Sequence, residues 1–343
     1  MDQEEKAAAA ARVALVADVG RLALRIGLTD AAGRLKTESV RSYDPVSQPT
    51  VSGAISSFAR DAGLDHLPRR LAVAVSGMPR GDTITVTHGR WRVSRSGLTA
   101  MLQAPPLILN DFAANAWAIG ERGTMGRLEA LAGPAAQPHG PGAFCVIGIG
   151  NGLGVALLTR DEHGIANVVP TEAGHSGFPA GLKALDPLIE KLGARLGYAT
   201  AETILSGPGL VALHACLAQM KGAPTPVAEA RETVRLGLSA RDPIAVEALG
   251  LFVRALWHFA GNMVLALGAW DGVILTGSIP AELRPLLSVP DLGRAFALEG
   301  PYKRQLGETP RALVTFPHAA LEGAAAALLV EDARRAVGRA LAV

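Results

Sequence analysis

The strongest constraint on the fold is a pattern that occurs twice. From Arg12 to Asp18 apolar and smaller residues alternate as in a strand, Gly20 turns the chain into a second strand over Leu22 to Leu28, and a third runs from Leu35 to Val40. Further on, Ala143 to Leu158 repeats strand, glycine turn and strand, and the stretch around Ile165 to Val169 supplies the third. The chain therefore reads as one α/β unit built twice. Its 343 residues exceed what one hydrophobic core usually serves, so two domains are expected.

After the first meander the pattern predicts a helix at about Thr50 to Ala62, a strand at Leu71 to Val75, a turn over Gly77 to Asp82, a strand at Thr83 to Thr87 and a helix near Ser96 to Leu102. A short apolar run then reaches Asn110-Asp111, and helical spacing takes over in Phe112 to Ala118. The first domain is expected to end there, spanning 12–110, with the large domain at 111–319. Beyond the second meander come helical regions at about Leu182 to Lys221 and Ala228 to Leu267, strands at Asp271 to Ser278 and Arg311 to Phe316, and an alanine-rich helix over Leu321 to Leu341.

With 49% hydrophobic and 19% charged residues the chain is globular. A net charge of +2 and a pI near 8.7, with Lys and Arg spread along the sequence, exclude a basic patch that would bind nucleic acid. The opening Met1 to Lys6 carries acid where a signal peptide needs base, and Ala7 to Ala11 is too short for its apolar region. The apolar run Ala255 to Trp270, broken by His258 and Asn262, reads as a buried helix, so no membrane partner is expected. The only cysteines are Cys145 and Cys216, which points to a reducing, cytoplasmic setting.

Asp111 has two readings. It is either a helix N-cap, worth about 1 kcal/mol, or a general base that orients a substrate hydroxyl in phosphoryl transfer. The run Gly148-Ile149-Gly150-Asn151-Gly152-Leu153-Gly154 has the spacing of a phosphate loop. A dinucleotide fold needs such glycines to open a helix, whereas β-forming Val155 to Leu158 follows them here. There is also no Gly-Lys-Ser/Thr. A hairpin turn remains, plain or acting as an anion cradle, and the glycine density favours the cradle. Glu172 and His175 are either a surface pair or readers of a polyol, and they make no complete metal site. Glu202 stands in the first turn of a helix, where opposing the dipole would be reason enough for it.

The ordered set Asp18-Val19-Gly20, Leu109-Asn110-Asp111-Phe112, Gly148 to Gly154, Thr171-Glu172-Ala173-Gly174-His175 and Glu202 with Leu205-Ser206-Gly207-Pro208-Gly209 resembles the bacterial glucokinase family of the hexokinase/actin-like superfamily. Ala260-Gly261-Asn262, Leu275 to Ile279 and Ala320 to Ala325 extend the likeness across about Leu15 to Leu329. The resemblance implies a two-domain hexokinase/actin-like, ribonuclease H-like fold with a cleft between the domains, the last helix (about 320–343) returning to the small one. It implies transfer of phosphate from ATP with Mg²⁺ to a hexose, glucose to glucose 6-phosphate, by a cytoplasmic homodimer. Asn110 and Asp111 would hold the sugar, Asp111 as base, with Glu172, His175 and Glu202 reading other hydroxyls. Asp18 would face Mg²⁺ through water, Gly20, Gly150, Asn151 and Gly152 would serve the ATP phosphates, and Gly277 would lie against the nucleoside.

Where the family's first phosphate loop reads Asp-x-Gly-Gly-Thr-Asn, this chain has Asp18-Val19-Gly20-Arg21-Leu22-Ala23. A second glycine permits a left-handed backbone that costs an L-residue roughly 1–2 kcal/mol. Losing two charge-assisted phosphate bonds as well would lower ATP turnover by roughly two to four orders of magnitude. Asn151 stands where Thr is usual, Ser278 replaces a glycine, and Thr87-His88 replaces Thr-Asn. The alternative to an active kinase is therefore a sugar-binding pseudokinase. A sugar-responsive DNA-binding regulator would need a helix-turn-helix ahead of Val13, and too few residues precede it.

Overall fold

The computed structural model describes residues 13–120, 127–224, 227–314 and 317–341. The Met1 to Arg12 stretch, read above for targeting signals, and Phe316 of the expected last strand lie outside the described residues. The described chain divides into two compact units, one holding the residues up to Gly120 and those from Pro317 onward, the other those between.

The first unit is a five-stranded sheet in the order β3-β2-β1-β4-β7, built from β1 (Ala14–Val19), β2 (Leu24–Thr29), β3 (Leu35–Tyr43), β4 (Arg70–Val75) and β7 (Leu107–Asn110). β5 (Thr83–Thr85) and β6 (Arg92–Ser94) pair as a separate small ladder. β1 pairs with β2 antiparallel and with β4 parallel, and β4 pairs with β7 parallel. The carboxyl ends of β1, β4 and β7 thus share one edge, with Asp18 level with Ala74 and Val75 level with Asn110.

Alternation along β1 sorts the two faces. Leu15, Ala17 and Val19 join a core with α1 (Val51–Asp61) and α2 (Arg95–Leu102), where Ile55, Phe58 and Leu98 are buried. Thr50 caps α1 by accepting from the Gly53 N–H at 3.1 Å, and Val51, Ala54, Ile55 and Phe58 supply the helical apolar stripe. Ala14 and Val16 face the opposite way, with Ala72 and Ala74, onto α3 (Asp111–Gly120) and the C-terminal helix Ala319–Leu341. Small residues let these two helices approach so closely that a Cβ built on Gly323 would stand 1.6 Å from the Ala114 carbonyl oxygen. That packing makes α3 part of the first unit. The expected boundary at 110 gives way to one beyond Gly120, because the strand-to-helix junction resembling a domain edge is internal to one core.

The second unit repeats the plan with one strand added. Its sheet order is β11-β10-β9-β12-β13-β8, from β8 (Leu128–Ala132), β9 (Gly142–Ile149), β10 (Leu153–Arg160), β11 (Ala166–Thr171), β12 (Gly272–Thr276) and β13 (Arg311–Val314). β9, β12 and β13 are parallel, and β8, which the pattern did not announce, pairs antiparallel with β13. The expected helical stretch from Leu182 breaks into α4 (Asp186–Leu196), α5 (Ala201–Ile204) and α6 (Gly207–Met220). Gly197 in left-handed backbone ends α4, and Thr200 and Ser206 cap the next two. α7 (Ala230–Leu238) and α8 (Pro243–Leu267) follow. α8 begins earlier than the Ala255 to Trp270 run suggested and is long and apolar enough to cross a membrane by length and composition alone. Its Phe252, Leu256, Trp257 and Phe259 are buried in the core of this unit, as the sequence reading of a buried helix expected.

Candidate active site

In the first unit the edge where β1, β4 and β7 end carries the acidic residues, the position at which open α/β sheets bind ligands. Asn110, not Asp111, is the N-cap of α3. Its Oδ1 accepts from the N–H groups of Phe112 at 2.9 Å and Ala113 at 3.2 Å, while its Nδ2 donates to the Gly77 carbonyl at 3.4 Å. Relieved of capping, Asp111 takes the first helical position with its carboxylate at the strand ends. Its Oδ2 accepts from the Ser76 hydroxyl at 2.5 Å and its Oδ1 from the Phe112 N–H at 3.0 Å. Burial pushes the Asp111 carboxyl up to about 7; the Ser76 bond opposes the shift and the Asp18 charge adds to it. Asp18 pairs with Arg25, directly across the β1–β2 ladder, at 3.1 Å. Burial raises Asp18 too, against the pull of Arg25 and His318.

The turn after β1 departs from the expected strain. Gly20 N–H donates to the Ala23 carbonyl at 3.0 Å, and Arg21 and Leu22 are exposed. Among the described residues the non-glycines in left-handed backbone are His88, Gln103, Ala240 and His318. Arg21 is not one of them, so the backbone cost expected from losing the second glycine is not incurred here.

In the second unit the residues gather round the β9–β10 hairpin tip, Gly150-Asn151-Gly152. Leu153 N–H donates to Glu202 Oε2 at 2.8 Å, and a Cβ on Gly152 would stand 2.7 Å from the same oxygen. The glycine is there to admit the carboxylate. Thr200 and Thr203 form a capping box on α5, which fixes Glu202 in its first turn. Ala201 N–H donates to the Ser176 carbonyl at 2.8 Å, tying α5 to the Ala173–His175 turn. Glu172 and His175 stand 4.0 Å apart there, each about half exposed. Glu172, His175 and Glu202 thus come to one hairpin.

Of the residues expected to serve a nucleotide, Gly150, Asn151, Gly152 and Gly277 gather at this tip, whereas Asp18 and Gly20 stand in the first unit. Gly207 N–H donates to the Gly150 carbonyl at 2.8 Å, bringing in the start of α6. Gly277 adopts φ +100°, and a Cβ there would lie 2.3 Å from the Ile149 carbonyl oxygen, so no other residue fits. Gly148 and Gly154, by contrast, pair with each other in the ladder and are not part of the turn. Sequence reasoning missed Ser76 and Arg25. Ser76 carried one signal, its place as the first residue past an apolar strand, yet its meaning depends on strand order.

The glucokinase family profile matches residues 15–331. The chain belongs to the glucokinase family. A glucokinase of Stenotrophomonas maltophilia (strain R551-3) is 32% identical over 323 residues, covering 93% of this chain and 95% of the relative. A glucokinase of Xanthomonas campestris pv. campestris (strain B100) is 34% identical over 333 residues, covering 94% and 96%. Among solved structures, a glucokinase from an Antarctic psychrotroph superimposes with a TM-score of 0.76 at 25% identity, covering 92% of this chain and 98% of that one. The Balamuthia mandrillaris glucokinase, solved with glucose, gives a TM-score of 0.75 at 19% identity, covering 95% and 99%. The fold is that of the two-domain hexokinase/actin-like kinases, and the chain is a sugar kinase.

Proposed function

We propose that this sugar kinase carries the γ-phosphoryl group of ATP to the 6-hydroxyl of glucose, with Asp111 as the base that orients the hydroxyl and takes its proton. The observation that carries this reading is the state of Asp111. Its neighbour does the capping, its own carboxylate stands at the strand ends, and its pKa of about 7 suits proton transfer near neutrality. Phosphoryl transfer asks the protein mainly for positioning and charge. Asn110, largely committed to the cap, contributes orientation of the α3 start and its second amide hydrogen. Glu172, His175 and Glu202 read the remaining sugar hydroxyls, which a site of paired polar groups discriminates strongly.

Gly20, Gly150, Asn151, Gly152 and Gly277 serve the nucleotide. For Mg²⁺ the donor chemistry fits: Asp18 brings one carboxylate to the carboxyl end of β1, and Mg²⁺ on ATP keeps several waters and needs only one or two carboxylates besides phosphate. Arg25 bonds Asp18 Oδ2, so Oδ1 is the oxygen that would meet an ion-bound water. The ion supplies neutralisation of phosphate charge when bound. The enzyme works in this reading as a cytoplasmic homodimer, a setting that two free, buried cysteines suit. The test is a coupled assay for glucose 6-phosphate with Mg-ATP. Turnover by the native chain and its loss in Asp111→Asn, with glucose binding kept by calorimetry, is the expected result. Absence of turnover with any common hexose in folded protein sinks the reading.

A further inference from the structure

We propose that Ser76 is the positioning residue of the base, orienting the Asp111 carboxylate and holding it in the ionised form that accepts a proton. The inference rests on the reading of Asp111 as the base. Its geometry lies entirely within one sheet. β4 and β7 run parallel with Val75 level with Asn110, so Ser76 and Asp111 are the next pair along, each the first residue past its strand. There the Ser76 hydroxyl donates to Asp111 Oδ2 at 2.5 Å.

The hydroxyl is set by a backbone fixed on both sides. Ser76 N–H donates to the Val19 carbonyl at 3.1 Å, and its own carbonyl accepts from the Thr87 N–H at 2.8 Å. A donor held this way needs no reorganisation as charge moves. With Phe112 N–H on Oδ1 at 3.0 Å, the two carboxylate oxygens are tied from different directions, and each keeps a lone pair for a substrate hydroxyl.

The electrostatic setting gives that bond its importance. Burial and the Asp18 charge from β1 both favour the protonated acid, and the Arg25 and His318 charges act on Asp18. The Ser76 hydroxyl leads the influences acting the other way. Asn110 cannot substitute, since its side-chain oxygen accepts from the helix start.

The test is kcat and glucose KM against pH, at saturating Mg-ATP, for the native enzyme and Ser76→Ala, Ser76→Cys, Ser76→Thr and Asp111→Asn. In Ser76→Ala the acidic limb of kcat moves up by about one pH unit, the size of one lost hydroxyl bond to a carboxylate, so that kcat falls about fivefold at pH 7 and about tenfold on the acidic side of the limb. Glucose KM changes less than about threefold, since the bond acts on the base and not on substrate affinity. Ser76→Cys keeps the shape with a weak donor and shifts the limb in the same direction, so it serves should the alanine variant fail to fold. Ser76→Thr, which keeps the hydroxyl, returns the limb toward the native position. Limbs of the alanine and cysteine variants that coincide with the native one, or a loss confined to KM, overturn the proposal. Asp111→Asn that stays active overturns the base reading instead, so the two failures are distinguishable.

Discussion

The two sheets share a strand plan and differ at its tips. In the first, Asp18, Ser76 and Asn110-Asp111 stand at or just past the ends of the parallel strands β1, β4 and β7; in the second, Gly150 and Gly277 stand just past the corresponding β9 and β12. Topology brings both sets of residues to the carboxyl ends of parallel strands, the position at which open α/β sheets bind ligands. Side-chain identity then decides the chemistry. The first edge buries carboxylates among hydroxyl and guanidinium partners, which suits proton transfer. The second removes side chains so that backbone and one imported carboxylate, Glu202, form the surface. The duplicated architecture thus supplies two equivalent edges, and substitution at a few strand-end positions makes one acidic and the other bare.

The sharpest way to break that contrast is Asp111→Asn. It lowers kcat by about three orders of magnitude, within the range general bases contribute, and leaves glucose affinity nearly intact in calorimetry. A mild effect on kcat would mean the acidic edge is not where the chemistry happens. Next in size, Gly323→Ala forces a methyl against the Ala114 carbonyl and costs about 2–3 kcal/mol by thermal or denaturant unfolding. Gly307→Ala, where a Cβ would meet nothing within 4 Å, is the matched control in the other unit. Glu202→Gln tests the bare edge: glucose KM rises about tenfold while kcat stays within a few-fold, the pattern for a group that binds substrate and transition state alike.

Stability against pH offers a separate test of the acidic edge. Asp111 titrates at about 7 folded against an ordinary 3.8, so the native state holds the proton more tightly. Stability from this group is full below 3.8 and declines as pH rises through about 7. Asp111→Asn removes that decline, and its Tm falls less than the native enzyme's between pH 5 and 8.

Much of this was legible in the residues because it is local. The two meanders follow from alternation and glycine turns, and the helix expected from about Thr50 begins where Thr50 caps it; the breaks capped by Ser206 and Asp242 lay inside stretches read as continuous helix. What could not be read needs strand order or packing. Asp111 and Asn110 both suit an N-cap by composition, and only the hydrogen bonds to Phe112 and Ala113 assign the duty to Asn110. Ser76 matters because β4 lies beside β7, and Gly323 because α3 lies beneath it. The strain expected at Arg21 failed for a related reason: a family pattern carries a residue type but not the backbone angle this turn adopts.

The helix Ala319–Leu341 closes a sheet whose strands all precede Asp111. A chain emerging from the ribosome therefore makes the edge that holds Asp18, Ser76 and Asp111 before the helix that supports α3. A nascent polypeptide stopped short of Ala319 would carry Ser76, Asp111, Glu172, His175 and Glu202 without the surface that seats the helix beginning at Asp111.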